Sequence, residues 1–192
     1  YGGDIPLACA GIITKVNMIF MSFVIGISQG IQPIIGYNHR AMKPERVLLT
    51  LKYGVITGTA FTTAGFLACM FFSHGIAALF TDDAQLISLA AGGLKIVILA
   101  FPLIGSQIVI GNFFQAIGKA RLAIFLSLTR QLLFLLPFLL ILPEFWGQTG
   151  VWASMPLADV LSSIVTLWFI RRFLKYYCGK NREYLAQPAG QV

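Results

Sequence analysis

The chain is poor in the residues that water-facing and catalytic surfaces need. In 192 residues there are seven acidic side chains, two His and three Cys, and charged residues make up 11%. A soluble globular domain carries about 25%. His39 and His74 both fall between apolar segments. A metal site and a His-based catalytic group are therefore not expected, since each needs a larger set of ligating or titrating groups. Cys9 and Cys69 lie in apolar runs and Cys178 in a basic tail. With no CxxC or Cys/His spacing, all three read as reduced structural thiols, and no cofactor is expected. The start has none of the basic region, short apolar core and small-residue cleavage site of a signal peptide. It opens on Tyr1 rather than Met, and a longer protein is the expectation.

What is present in excess is apolar surface. Hydrophobic residues make up 57%, 16 of them Phe, and the mean hydropathy is +0.81. That surplus exceeds what one buried core of this length absorbs, so lipid is the natural solvent. A bilayer core ~30 Å thick is crossed by about 20 apolar helical residues at ~1.5 Å each. Five segments qualify, running approximately over residues 5–36, 51–72, 86–117, 122–142 and 151–170. The connections YNHRAMKPER, HGIAALFTDDA, GKAR and PEFWGQTG are short and rich in breakers. Helix is the reading within the spans, because a lone chain of this kind cannot close a barrel of short alternating strands. The fold class predicted is all-α, a polytopic membrane bundle over residues 1–175 followed by a basic tail over 176–192.

The net charge of +7 follows membrane topology. Arg40, Lys43, Arg46, Lys52, Lys119, Arg121, Arg171, Arg172, Lys175, Lys180 and Arg182 fall on alternate connections or the tail, whereas the opposite ends hold Asp4, Asp82, Asp83 and Glu144 with no Lys or Arg. Cytoplasmic loops of membrane proteins are enriched in Lys and Arg. The C-terminus is thus predicted to be cytoplasmic and Tyr1 external, and nucleic acid is excluded as the partner of the basic residues. An odd number of spans beginning outside predicts at least one more helix before Tyr1.

Four charges remain within or near the spans: Lys15, Lys95, Arg130 and Asp159. Intramembrane charges cost several kcal/mol and need a partner, water or an escape route. Lys15 and Lys95 each lie ~22 residues, or ~33 Å of helix, from the cytoplasmic end of their spans, near the outer interface. They either snorkel to headgroups or line an outward-facing cavity. Lys15, Ser22, Gly26 and Gln29 share one helical stripe. Asp159 lies close to the midplane, with Ser162, Ser163 and Thr166 on the same side of its helix. Folding the last two spans into a hairpin about Trp146 leaves Arg130 and Asp159 offset by only ~4.5 Å along the axis, and they are expected to pair. The pair reads either as a structural lock or as a proton or ion site. Pro33, Pro102 and Pro137 lie within spans or at their ends and are candidate bends, with Gly26, Gly30, Gly36, Gly105 and Gly111 beside them. Gln107, Asn112 and Gln115 are candidates for a cavity lining or for interhelical hydrogen bonds.

The stretches GISQGIQPIIGYN (Gly26 to Asn38), ALFTDD (Ala78 to Asp83), FFQAIGKAR (Phe113 to Arg121) and LTRQLLFLLPFLLILP (Leu128 to Pro143) together resemble the C-terminal half of bacterial multidrug and toxic compound extrusion (MATE) transporters. The resemblance covers nearly the whole chain in order, spacing and loop length. It implies a twelve-helix, two-lobe transporter in the bacterial inner membrane, of which these spans are helices eight to twelve, with the N-terminal lobe as their partner. It implies efflux of small organic cations or drugs, driven by sodium ions or protons, and no enzymatic step. Gln29, Gln107, Asn112, Gln115, Lys15 and Lys95 are the cavity candidates. Asp159 matches an acidic position in PLAD-like stretches of related sequences. Two departures stand out. PLIGSQIVIG, in the third span, lacks the carboxylate that some members carry there, and Arg40 stands where YNxGA is usual, which puts a tight cytoplasmic turn in question. A lipid-linked saccharide flippase of the same superfamily is the alternative; it would need several cations facing the cleft. From other classes, a membrane-embedded enzyme would need clustered acids, for which Asp82 and Asp83 are the one candidate pair and read better as a helix cap. A structural membrane subunit is argued against by the bends and midplane polar stripes.

Overall fold

The computed structural model describes residues 4–186, with side chains from Ile5 to Tyr177. Tyr1 and the side chains of Cys178, Lys180 and Arg182 lie outside the described residues. Every element among those described is helical: α1 (Asp4–Arg40), α2 (Pro44–Ala78), α3 (Ala84–Val97), a 3-10 turn (Ile98–Ala100), α4 (Phe101–Ala116), α5 (Ala120–Leu128), a π turn (Thr129–Leu135) and α6 (Leu136–Ala186).

Four stretches are long and apolar enough to cross a membrane, and the fourth, Ala120–Tyr177, runs to 58 residues. It cannot be straight. Arg130 and Asp159 lie 29 residues apart, which is ~43 Å along a helix, yet their side chains touch at 2.6 Å. The chain reverses at Gly147, whose φ of 54° and ψ of −134° no ordinary helix contains. At Gly150 a Cβ would run into the Leu142 carbonyl, so only glycine lets the two arms pass this closely. The stretch therefore makes two passes, 120–146 and 148–186, and the total is five. The expected PEFWGQTG connection is correspondingly helical except at Gly147.

The helices also run beyond their apolar stretches. α1 takes in YNHR, and α2 extends to Ala78 through a local break at Phe72 (φ −114°, ψ 22°). The turn after α1 is tight despite Arg40. Lys43 N–H donates to Asn38 O at 3.0 Å and Met42 N–H to His39 O at 3.2 Å. Such a closure needs a left-handed residue at its centre, and Met42 takes that role at φ 52°. After α4 the same closure is centred on Gly118 (φ 78°), with Lys119 N–H on Phe114 O and Gly118 N–H on Gln115 O. Asp83 caps α3, accepting from Gln85 N–H at 2.8 Å and Leu86 N–H at 3.4 Å.

Burial is inverted relative to a protein in water. Phe23, Phe71, Leu79, Leu133, Leu140 and Phe145 are among many exposed large apolar side chains, whereas Ser28, Gln107, Asp159, Ser162 and Thr166 are buried. Lipid satisfies the first group, and interhelical hydrogen bonds must satisfy the second. Apolar packing lies at both ends of the bundle. One cluster joins Cys9, Ile13, Leu94, Phe101 and Trp152. The other joins Ile35, Leu51, Phe113, Phe114 and Ile170, and there Phe173 packs edge-on to Phe113 and Phe114. α2 lies against α4 through a stripe that includes Gly54, Gly58 and Thr62, while Gly65 further along it is covered by Phe20 of α1. A Cβ on Gly105 would lie 2.6 Å from Thr62 Oγ1 and against the Gly58 carbonyl, so the two backbones meet directly.

The three prolines behave differently. α1 passes through Pro33 as continuous helix. Pro102 sits in the first turn of α4, directly after the 3-10 turn that divides the third pass. Pro137 follows the π turn. Its ring would press on the carbonyl four residues earlier, and a widened turn just ahead of it removes that clash.

Candidate functional site

Between the two apolar clusters the helices part around a cavity of about 620 Å³. That volume is within the usual range for small-molecule sites, roughly 300–1,000 Å³. Its walls come from α1, the third pass, the α5–π segment and the last pass; α2 takes no part.

Helical periodicity selects the lining. From α4, Gln107, Gly111 and Gln115 recur every four residues on one face, with Asn112 beside them. From α1 come Thr14, Asn17, Met18, Met21, Ile25 and Gln29. Gln29, Gln107, Asn112 and Gln115 thus meet in one cavity. Lys15 and Lys95 do not line it; both are exposed elsewhere on the bundle. Of the two readings open for these lysines, their exposed positions agree with snorkelling to headgroups. A single residue turns a helix by 100°, and on α1 the cavity face is that of Thr14 and Met18.

A polar ladder closes the back of the cavity. Gln107 Nε2–H donates to Ser162 Oγ at 2.8 Å, and Ser163 Oγ–H donates to Gln107 Oε1 at 3.5 Å. Asn112 Nδ2–H donates to Ser28 Oγ at 2.6 Å and ties the third pass to α1. These two amides therefore serve as interhelical links while still lining the cavity. Gln29 and Gln115, exposed to it, make no hydrogen bond among the described residues. At the head of the ladder, Arg130 Nε–H donates to Asp159 Oδ1 at 2.6 Å. The partners are unequal: the Arg130 side chain is 31% exposed and that of Asp159 only 5%. Among the described residues they are the only charged ones in the lining. The π turn carries Arg130, Gln131 and Leu135 to the wall. Apart from Pro137, no sequence pattern announced the π turn, although π bulges recur at functional sites.

His74 and Asp82 stand apart from the cavity. His39 Nδ1 lies 3.0 Å from Tyr177 Oη and joins the end of α1 to the last pass. Among the described residues no group of three His, Cys, Asp or Glu is placed to hold a metal ion.

Long lipid-compatible helices around a cavity of small-molecule size with a polar back wall define a polytopic helical membrane protein. A family model described as MatE matches residues 1–141, and the chain belongs to that family. The multidrug export protein MepA of Staphylococcus haemolyticus is 24% identical over 168 residues, 88% of this chain and 37% of that protein. An FAD transporter of Shewanella oneidensis is 23% identical over 170 residues, 86% of this chain and 37% of that protein. A solved structure of the MATE multidrug transporter DinF-BH, captured as a ligand complex, is 38% identical, superimposes with a TM-score of 0.78, and is matched over 84% of this chain and 36% of that one. The chain spans 37% of the length of these curated relatives.

Proposed function

We propose that this chain forms the C-terminal lobe of a secondary active exporter of the bacterial cytoplasmic membrane. It expels drug-like organic compounds, organic cations among them, in exchange for sodium ions or protons. The observation that carries the reading is the cavity, whose size and mixture of free amides with Met, Ile and Phe suit amphiphilic organic molecules. Multidrug export in relatives such as MepA agrees with it. An N-terminal lobe completes the cleft, and the Lys and Arg distribution supports a cytoplasmic C-terminus. The flippase alternative would need several cations facing the solute, and among the described residues the lining of this cavity holds one, Arg130. The test is gradient-dependent efflux of a cationic dye by cells producing the full-length protein. Export that collapses with the sodium or proton gradient is expected; dye retention equal to that of empty cells across a substrate panel overturns the reading.

A further inference from the structure

The cavity's two charges are distributed unevenly between wall and interior. Asp159 is almost wholly withdrawn, accepting from Arg130 Nε–H and lying next to the buried Ser162 and Ser163. Arg130 stands in front of it with about a third of its side chain open to the cavity. A guanidinium has five N–H donors in a planar fork. Here Nε makes the one hydrogen bond of this side chain among the described residues, and the terminal nitrogens are left to the cavity. What a bound solute meets first is therefore positive. It meets no exposed carboxylate, since the lining holds no other acid. Around Arg130 are amides that can also donate: Gln131 on the next residue, and Gln29 and Gln115 across the space. Thr14, Asn17 and Ser127 add smaller polar groups, and the apolar part of the wall includes Met18, Met21, Ile25 and Phe101.

We infer that the free edge of Arg130 is an anchor for a single anionic group, a carboxylate or phosphate, on an amphiphilic solute whose apolar body lies against α1 and α4. The inference rests on the cavity being the substrate compartment and narrows its ligands: compounds bearing an anionic group, zwitterions included, bind it better than the same compounds without one. Bidentate pairing to carboxylate or phosphate is the interaction that the guanidinium fork favours. Asp159 holds the fork in place through Nε without covering its terminal edge. An anionic lipid headgroup offers the same chemistry as a soluble amphiphile, and the test separates the two.

The probes are a cationic rhodamine ethyl ester and the acid formed by hydrolysing that ester, which are alike save for one carboxylate. Binding to the full-length protein in nanodiscs is read by fluorescence polarisation, with empty discs as blank and no gradient needed. The acid is expected to bind about tenfold more tightly than the ester, as one charge-assisted pair provides. In the double variant Arg130→Gln/Asp159→Asn, a neutral pair keeps the helix-to-helix hydrogen bond, and the preference falls below about twofold. Arg130→Lys, whose ammonium cannot present a planar fork, loses most of it. Discs of phosphatidylcholine alone are compared with discs containing phosphatidylglycerol. A preference seen in both assigns the site to the solute. One seen only without phosphatidylglycerol assigns it to lipid headgroups, with the anionic anchor intact. Equal binding of the two dyes to the wild type, or a preference that survives in the double variant, overturns the anchor while leaving the export reading standing. Binding of neither dye overturns both.

Discussion

Asp159 is a carboxylate within an apolar span, and its withdrawal behind Arg130 decides what its loss does. Removing one partner of a buried pair costs about 3–5 kcal/mol in water-soluble proteins, chiefly by stranding the other charge. Here Arg130 opens onto a cavity, so the lower end applies, and Asp159→Asn is expected to cost about 3 kcal/mol. A thermal unfolding scan of the purified protein checks this as a lowered apparent Tm. Transport by the folded fraction then separates lock from coupling site: retained coupling assigns the pair to structure, and lost coupling assigns Asp159 to the ion. Wild-type stability together with wild-type transport would remove both roles. The pairing was legible in the sequence because hairpin arithmetic needs only a rise per residue and a turning point, and the break falls one residue past the expected Trp146, at Gly147. The sequence left two places open for Lys15, since cavity and lipid faces differ by one residue in register and no composition argument resolves 100° of helix rotation.

At the scale of elements, the crossing of α2 and α4 depends on the absence of side chains. Gly58 and Gly105 bring backbone to backbone, and Thr62 returns its hydroxyl to the Gly58 carbonyl at 3.0 Å instead of reaching outward. Close approach through small residues is how membrane helices gain packing when lipid is as apolar as they are. Gly105→Leu is expected to force the pair apart, costing about 1–3 kcal/mol or more by overpacking. Lower monodisperse yield in size-exclusion chromatography checks it. Gly111→Ala, where an added methyl meets nothing within 4 Å, is the matched control and should behave as wild type. Hydropathy alone revealed five spans, because length and apolarity are summed over many residues and tolerate local error. The helix ends were not legible: α1 and α2 run into polar sequence that reads as loop, α1 stopping in turn geometry at Met42 and α2 continuing through the break at Phe72 to Ala78.

At the scale of the molecule, apolar packing at both ends with hydrogen bonds and space between them gives a bundle that is held firmly where it is dry and open where it is polar. The four sides of the cavity belong to helices that are tied in pairs, α1 to the third pass by Asn112 and the third pass to the last by Gln107. The α5–π segment is joined to that frame at the same depth through one ion pair. It is the wall with the fewest polar attachments. The π turn lies in that wall. A helix that winds too loosely over Thr129–Leu135 holds one residue more than a regular helix needs over that length. The chain thus carries its own spare part: excision of Leu132 should leave a continuous regular helix and a normal folded yield, while excision of Leu140, in regular helix, should rotate all that follows and abolish it. Chromatographic yields of the two deletions, compared side by side, measure the difference, and equal loss in both would mean that no residue there is surplus.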